Sequence, residues 1–294
     1  MRANEPMVPA LAGELHGHAK RLRKRLRRAQ KGDPQGVHDA RTTVRRLRLE
    51  LDVLARHASN AAMLHRLEDR LHALDKVLGD IRDQDVLRED VRTKRGLRPL
   101  VKRLKRTRKK KQREGLRTMS KGRSLVRKVR RCEPDADLRL EPRAGKVHPV
   151  LVRHLGPEEI ARAFDAVLAY ETAPVDHESL HRFRGVCRRL RYLLELFEEA
   201  PADNGRIISE LRDAQSQLGD LHDHHVAVLR IARWLEDGRL PHTPELEAYL
   251  VERVRADKRL LREAHEHRRK ILGGAFRARV AAVLMGTPPT RQSA

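Results

Sequence analysis

The chain has 294 residues, 36% of them charged and 39% apolar, which suits one large domain or two ordinary ones and excludes a disordered chain. Its formal net charge is +24, a self-repelling surplus that calls for a polyanionic partner, while an aromatic content of only 3% speaks against a module that reads single strands by stacking bases on rings. The two cysteines make no disulfide framework or Cys-x-x-Cys metal site, and neither a signal-peptide core nor a run of membrane-spanning length is present, so the cytosol is the expected compartment.

Met1 to Gln30 reads as a leader and then a helix with Leu11, Leu15, Leu22 and Leu26 on its buried side and Lys20 and Arg27 on another face. Gly, Asp, Pro and Gly within 31–36 break it. The next helix, ending near 57–60, carries Val37, Ala40, Val44, Leu47, Leu51 and Leu54 at alternating spacings of three and four, the apolar seam of a bundle helix. The residue after four of these seam positions is His38, Arg41, Arg45 or Arg48, which form a second stripe along the seam's flank. Planar guanidiniums in a line suit a linear polyanion, because each fork can take two phosphate oxygens. A solvated basic face is the plainer reading of one such stripe, but the stripe recurs.

A long helix over about 61–95 keeps the rhythm with Leu64, Leu67, Leu71, Leu74, Leu78 and Ile81 and places Asp85 in the next seam slot. Gly79 stands in its middle, where glycine costs up to about 1 kcal/mol against alanine, which suggests the close approach of another backbone. Residues 95–131 hold 18 Lys or Arg and one acid, Glu114. From Lys105 to Gly115 no apolar residue fills a seam position, so this helix is expected to project into solvent or to line a wet groove, with Lys102, Lys105 and Lys109 along it. Residues 132–157, rich in Pro, read as a connection.

The second half repeats the first. Residues 158–170 open it with Ile160, Phe164 and Val167 buried. Then, 143 positions after the first stripe, His181, Arg184, Arg188, Arg189, Leu190 and Arg191 match His38, Arg41, Arg45, Arg46, Leu47 and Arg48. Leu180, Phe183, Cys187, Leu190, Leu194 and Phe197 form their seam, with Cys187 as a small core residue. QLGDLHDHHV at 217–226 answers VLGDIRDQDV at 77–86, an offset of 140, on a helix with Ile207, Leu211, Ala214, Leu218 and Leu221 buried. Asp80, Asp83 and Asp85, then Asp220 and Asp223, read as structural acids that hold arginines of the neighbouring helix, since no nucleophile or metal set accompanies them in both halves. One last helix is expected over about 243–285, with Leu246, Leu250, Val254, Leu261 and Ile271 in its seam and far more acids than its counterpart. The expectation is therefore all-α: two four-helix bundles, 1–131 and 158–285, related by pseudo-twofold symmetry, and a loose tail at 286–294.

The repeated His-x-x-Arg-x-x-x-Arg-Arg-Leu-Arg and Leu-Gly-Asp-x-x-Asp resemble the CHAD family, the histidine-containing α-helical domains, over about residues 8–285. The second copy departs from the first at His225, where Asp85 stands, and at His222, where Arg82 stands. The resemblance implies a basic groove or pore that binds inorganic polyphosphate, targeting to polyphosphate granules, and the motif positions His38, Arg41, Arg45, Arg46, Arg48, His181, Arg184, Arg188, Arg189 and Arg191 as ligands. Lys20, Arg27, Lys102, Lys105 and Lys109 are expected to extend the path. Some members are fused to, or neighbours of, a triphosphate-tunnel hydrolase. That enzyme's Glu-x-Glu-x-Lys strand has no counterpart here beyond Glu245 to Tyr249 in a helical setting, so a non-catalytic binding module without a cofactor or metal is expected.

Two other classes fit less well. A nucleic-acid binder shares the charge, but neither stripe carries the Asn or Gln that reads base edges, leaving only non-specific binding. A metal-dependent phosphohydrolase would draw on Leu221 to His225, yet adjacent histidines on a helix diverge by about 100° and do not meet one ion.

Overall fold

The computed structural model describes residues 1–2, 4–57, 61–130, 151–197 and 204–285. These form helices α1 (Met7–Gln30), α2 (Pro34–His57), α3 (Ala61–Val91), α4 (Arg98–Arg130), α5 (Val152–Leu168), α6 (His177–Leu196), α7 (Asn204–Glu236), α8 (Pro244–Leu272) and α9 (Gly274–Leu284). The only β pairing among the described residues is an isolated bridge between Pro6 and Leu151, and no described helix is long and apolar enough to cross a membrane. The chain divides into two compact units, Glu5–Leu151 and Val152–Ala294, the second joined by Met1–Asn4. The Met1 ammonium donates to the Leu196 carbonyl at 3.0 Å within that second unit. The expected connection, apart from 151–157, and the expected tail lie outside the described residues, as does Cys132.

In the first unit α1 packs on α2, α2 on α3, α3 on α4 and α4 back on α1, a closed square of four helices. Each predicted seam faces its interior: Leu11, Leu15, Leu22 and Leu26 on α1, all six seam residues of α2, and Leu64 to Ile81 on α3 are buried. Burying each leucine contributes about 1.5–3 kcal/mol against leaving it in water, so the three-four rhythm alone fixes which faces meet. Gly36 makes the tight α1–α2 hairpin possible: a Cβ there would lie 2.6 Å from Arg28 Cβ and 2.9 Å from the Ala29 nitrogen.

The seam of α4 corrects the sequence expectation. It does not leave the bundle between Leu104 and Gly115; polar side chains fill it. Arg108 Nε reaches Asp85 Oδ1 at 3.0 Å and its Nη2 donates to the Gly32 carbonyl at 2.7 Å. Gln112 is buried and its amide donates to the carbonyls of Ala29 and Gln30 at 2.8 and 3.2 Å. Those carbonyls end α1, and the Ala29 carbonyl also accepts the Gly32 N–H at 2.9 Å.

In the second unit α5 packs on α6, α6 on α7 and α7 on α8. Helix α5 begins at Val152, earlier than expected, and carries Pro157 inside it. The single last helix expected over 243–285 is two. Gly273, with an extended backbone at ψ 155°, breaks it, and α9 closes the bundle by packing on α5 and α7 with Phe276, Val280 and Val283 buried. The seam of α8 also differs: Val254 is exposed, and Leu246, Tyr249, Arg253, Leu260, Ala264, Arg268 and Ile271 are buried. Arg253 Nε donates to the Tyr249 hydroxyl at 2.8 Å. Arg268 donates to the carbonyls of Tyr170, Ala173 and Pro174 in the turn after α5.

Candidate anion-binding site

In the first unit the stripe lies on the α3 side of α2. Arg41 Nε and Arg45 Nε stand 3.5 and 3.3 Å from Asp75 Oδ1, and Arg48 Nη1 stands 3.4 Å from Asp75 Oδ2. Arg48 Nε also meets Glu68 Oε1 at 2.6 Å. One carboxylate thus gathers three guanidiniums in a half-buried crevice. Asp75 and Glu68 were missed by the sequence reading. Asp75 faces the stripe from about one turn before the Leu-Gly-Asp motif and Glu68 from about three, and neither lies in a matched repeat.

The motif acids do other work. Asp80 pairs with Lys111 at 3.1 Å and Asp85 with Arg108, both from α4 rather than from α2. Asp83 is half-buried on α3. Arg46 sits on the opposite flank of α2, within electrostatic reach of Glu50, which makes a buried pair with His18 on α1 at 2.5 Å. Burial pushes the Glu50 carboxyl above its ordinary value, with His18 opposing.

Gly79 has a different reason from the one expected. A Cβ there would stand 3.1 Å from Arg41 Nη2, so what approaches the glycine is a guanidinium, not a backbone. The same holds in the second unit, where a Cβ on Gly219 would stand 3.0 Å from Arg184 Nη2. In both units the α3 or α7 surface is stripped of a side chain so that the leading arginine of the stripe can lie against it.

The second stripe is set differently otherwise. Arg184 Nε donates to the Gln215 carbonyl at 3.1 Å. Gln215 stands 140 residues after Asp75, so the second unit has a neutral side chain where the first has its shared carboxylate. Arg191 pairs with Glu195 at 3.2 Å and lies over the Tyr192 ring. Arg188 and Arg189 are half-buried on the same helix. Partial desolvation raises the Asp220 carboxyl, with the charge of Arg184 opposing it; Asp223 is exposed on α7. Cys187 is fully buried, and burial pushes its thiol far up.

The two motif histidines are exposed. Desolvation, followed by the charges of Arg82, Arg41 and Arg45, lowers His38 below 6.5, with Asp39 opposing. His181 stacks on His222, ring centroids 4.0 Å apart. Lys20 and Arg27 are exposed on α1, and Lys102, Lys105 and Lys109 on α4. Helix α4 lies diagonally across the square from α2, so the structure does not gather these three lysines with the first stripe.

The fold and the duplicated motif mark a helical domain with internal repetition, and the family follows. The model of the CHAD domain matches residues 13–232 and again 158–294, and the chain belongs to that family. Among solved structures it is similar to the CHAD domain from the plant Ricinus communis, at 19% identity and a TM-score of 0.59, covering 96% of this chain and 94% of that one. It is also similar to PptA from Streptomyces chartreusis, at 18% identity and a TM-score of 0.59, covering 89% of this chain and all of that one (100%). No curated protein sequence matches it.

Proposed function

We propose that this protein binds inorganic polyphosphate without catalysis, through the arginine stripes of α2 and α6, and that it resides at polyphosphate granules in the cytosol. Family membership supports the ligand class. The observation that carries the reading is the duplicated glycine seat: Arg41 over Gly79 and Arg184 over Gly219. A helix interior gives up about 1 kcal/mol for each such glycine, and both units do so to lay a guanidinium beside a crevice. The net charge of +24 supplies the long-range attraction. A triphosphate-tunnel hydrolase or another polyphosphate-metabolising protein is the proposed functional neighbour, and nucleic acid the non-specific competitor.

The test compares two double variants of equal charge change. Arg45→Ala/Arg188→Ala removes half-buried stripe members, whereas Arg117→Ala/Arg123→Ala removes exposed ones from α4. With circular dichroism confirming the fold, the stripe double should weaken polyphosphate binding by more than about tenfold, since a hydrogen bond to a charged group contributes roughly 1.5–3 kcal/mol. The α4 double should lose less than about threefold. Equal losses would mean that net charge alone governs binding.

A further inference from the structure

Outside the stripes, three side chains from three helices of the second unit converge. His177 is the first residue of α6, His225 lies on α7 and Asp257 on α8. His177 Nε2 stands 3.0 Å from Asp257 Oδ2. The His225 ring lies flat on the His177 ring, centroids 3.7 Å apart and planes 13° from parallel. One donor atom from each residue falls within 4.8 Å of the others. His177 Nδ1 and Asp257 Oδ1 are buried with no hydrogen-bond partner. Leaving such atoms unmatched is costly in a folded protein.

We infer that His177, His225 and Asp257 form a binding site for one divalent transition metal ion of the zinc class. Two imidazole nitrogens and one carboxylate oxygen suit Zn²⁺ and its neighbours in the first transition row, whereas Mg²⁺ and Ca²⁺ require oxygen ligands throughout. Three protein ligands leave a fourth position open to water or an anion oxygen. Ligands at about 2.0–2.2 Å from a tetrahedral ion lie roughly 3.3–3.5 Å from one another. Loading therefore draws the three donors inward by about an ångström and turns one ring off the stack, a change of side-chain torsion on helices that stay in place.

The sequence reading excluded a metal because it weighed only the histidines within Leu221 to His225, which diverge around one helix. The ligands come instead from His225 and two other helices. The first unit has no such site at the matching place: Asp85, 140 residues before His225, is bound to Arg108, and a guanidinium there excludes a cation. The expected stoichiometry is one ion per chain.

The experiment uses the full chain, stripped with a chelator and kept free of polyphosphate, which would itself sequester metal. Titration calorimetry at pH 7.5 should give one equivalent of Zn²⁺, and none of Mg²⁺ at the same concentration. His225→Ala and Asp257→Asn should each weaken Zn²⁺ binding at least about 100-fold, more than the loss of an outer-shell partner. The exposed-histidine control His65→Ala/His72→Ala should change it less than about twofold. Zn²⁺ should also raise the melting temperature of the wild type and not that of Asp257→Asn. Should a variant fold poorly, Co²⁺ added to the wild type gives the same answer: it should shift the ring resonances of His177 and His225. The inference is overturned if no stoichiometric Zn²⁺ binds, if both variants retain it, or if Co²⁺ shifts other histidines instead. None of these outcomes bears on polyphosphate binding by the stripes.

Discussion

Gly79 and Gly219 separate the demands of the fold from those of the ligand. Alanine at both positions should raise helix stability by up to about 1 kcal/mol per site, because the atom it meets is the far end of a flexible arginine, 3.0–3.1 Å away, and not backbone. The same substitutions push Arg41 and Arg184 off their seats. Gly79→Ala/Gly219→Ala should therefore melt no lower than the wild type while binding polyphosphate several-fold more weakly; a variant that binds as well as the wild type would show the seats to be irrelevant to the ligand. Asp75 makes the opposite trade. Asp75→Asn removes the carboxylate shared by Arg41, Arg45 and Arg48, which should cost about 1–3 kcal/mol in urea unfolding of the free protein, since like charges are left facing one another in a half-buried crevice. It should also tighten polyphosphate binding, because the ligand no longer competes with an internal acid. His38 adds a pH dependence whose sign follows from its environment. Desolvation and Arg82 depress its value below 6.5, so the free protein holds it neutral at pH 7. A bound polyanion raises it, so the complex carries more protons than the free protein. Affinity should then climb as pH falls toward the depressed free-state value and level off beneath it, and His38→Gln should flatten the climb in a pH series at constant ionic strength. The free protein shifts the other way: with the folded value below the unfolded one, stability is full above about 6.5 and declines as pH falls through that value.

At the scale of the helix, polar side chains in apolar slots hold each unit together where the sequence pattern falls silent. Gln112 of α4 satisfies the carbonyls that end α1, and Arg268 of α8 satisfies three carbonyls after α5. Both reach from a late helix of the unit to the end of its first helix. Arg268→Met keeps the length and apolar stem but removes those part-buried, charge-assisted hydrogen bonds, which should cost about 1.5–3 kcal/mol in denaturant unfolding. Arg268→Lys should recover little, since one ammonium cannot span the three acceptors of a planar fork. These slots explain which parts of the fold were legible. The seams of α1, α2, α3, α6 and α7 could be read residue by residue because apolar side chains at three-four spacing have one physical use. The seams of α4 and α8 could not, because Arg108, Gln112, Arg253 and Arg268 carry the charge or amide expected of a solvent face, and Arg108, Gln112 and Arg268 find their partners far away in sequence. The break at Gly273 was hidden for a related reason: apolar spacing continues on both sides of it, and only the packing of α9 on α5 shows that the chain turns. In the site, the repeated stripe and glycine could be found by their duplication, whereas Asp75, Glu68 and the His177–His225–Asp257 cluster occur once and carry no such mark.

Over the whole molecule the charge is unevenly spread, and that gives a test of whether polyphosphate is held along the stripes or by diffuse attraction. Helix α4 is almost purely basic, while α8 interleaves its arginines with Glu245, Glu247, Glu252, Glu263 and Glu266. Any polyanion should be drawn to the first unit by that field, with affinity falling steeply as salt rises; for duplex DNA the slope of log K against log salt is about −0.9 per phosphate neutralised. Diffuse binding spreads the neutralised phosphates over many cations, so deleting two of them changes the slope little. Binding in the stripes counts each arginine singly, and removing one phosphate contact lowers the slope by about 1. Arg45→Ala/Arg188→Ala should therefore reduce the polyphosphate slope by about 2 and leave the DNA slope nearly unchanged, while Arg117→Ala/Arg123→Ala should leave the polyphosphate slope nearly unchanged. DNA of matched charge should then displace polyphosphate poorly from the wild type, and competitively from the stripe double. A polyphosphate slope that responds to both doubles alike would assign the binding to the basic field of α4 and not to the arginines that lie over Gly79 and Gly219.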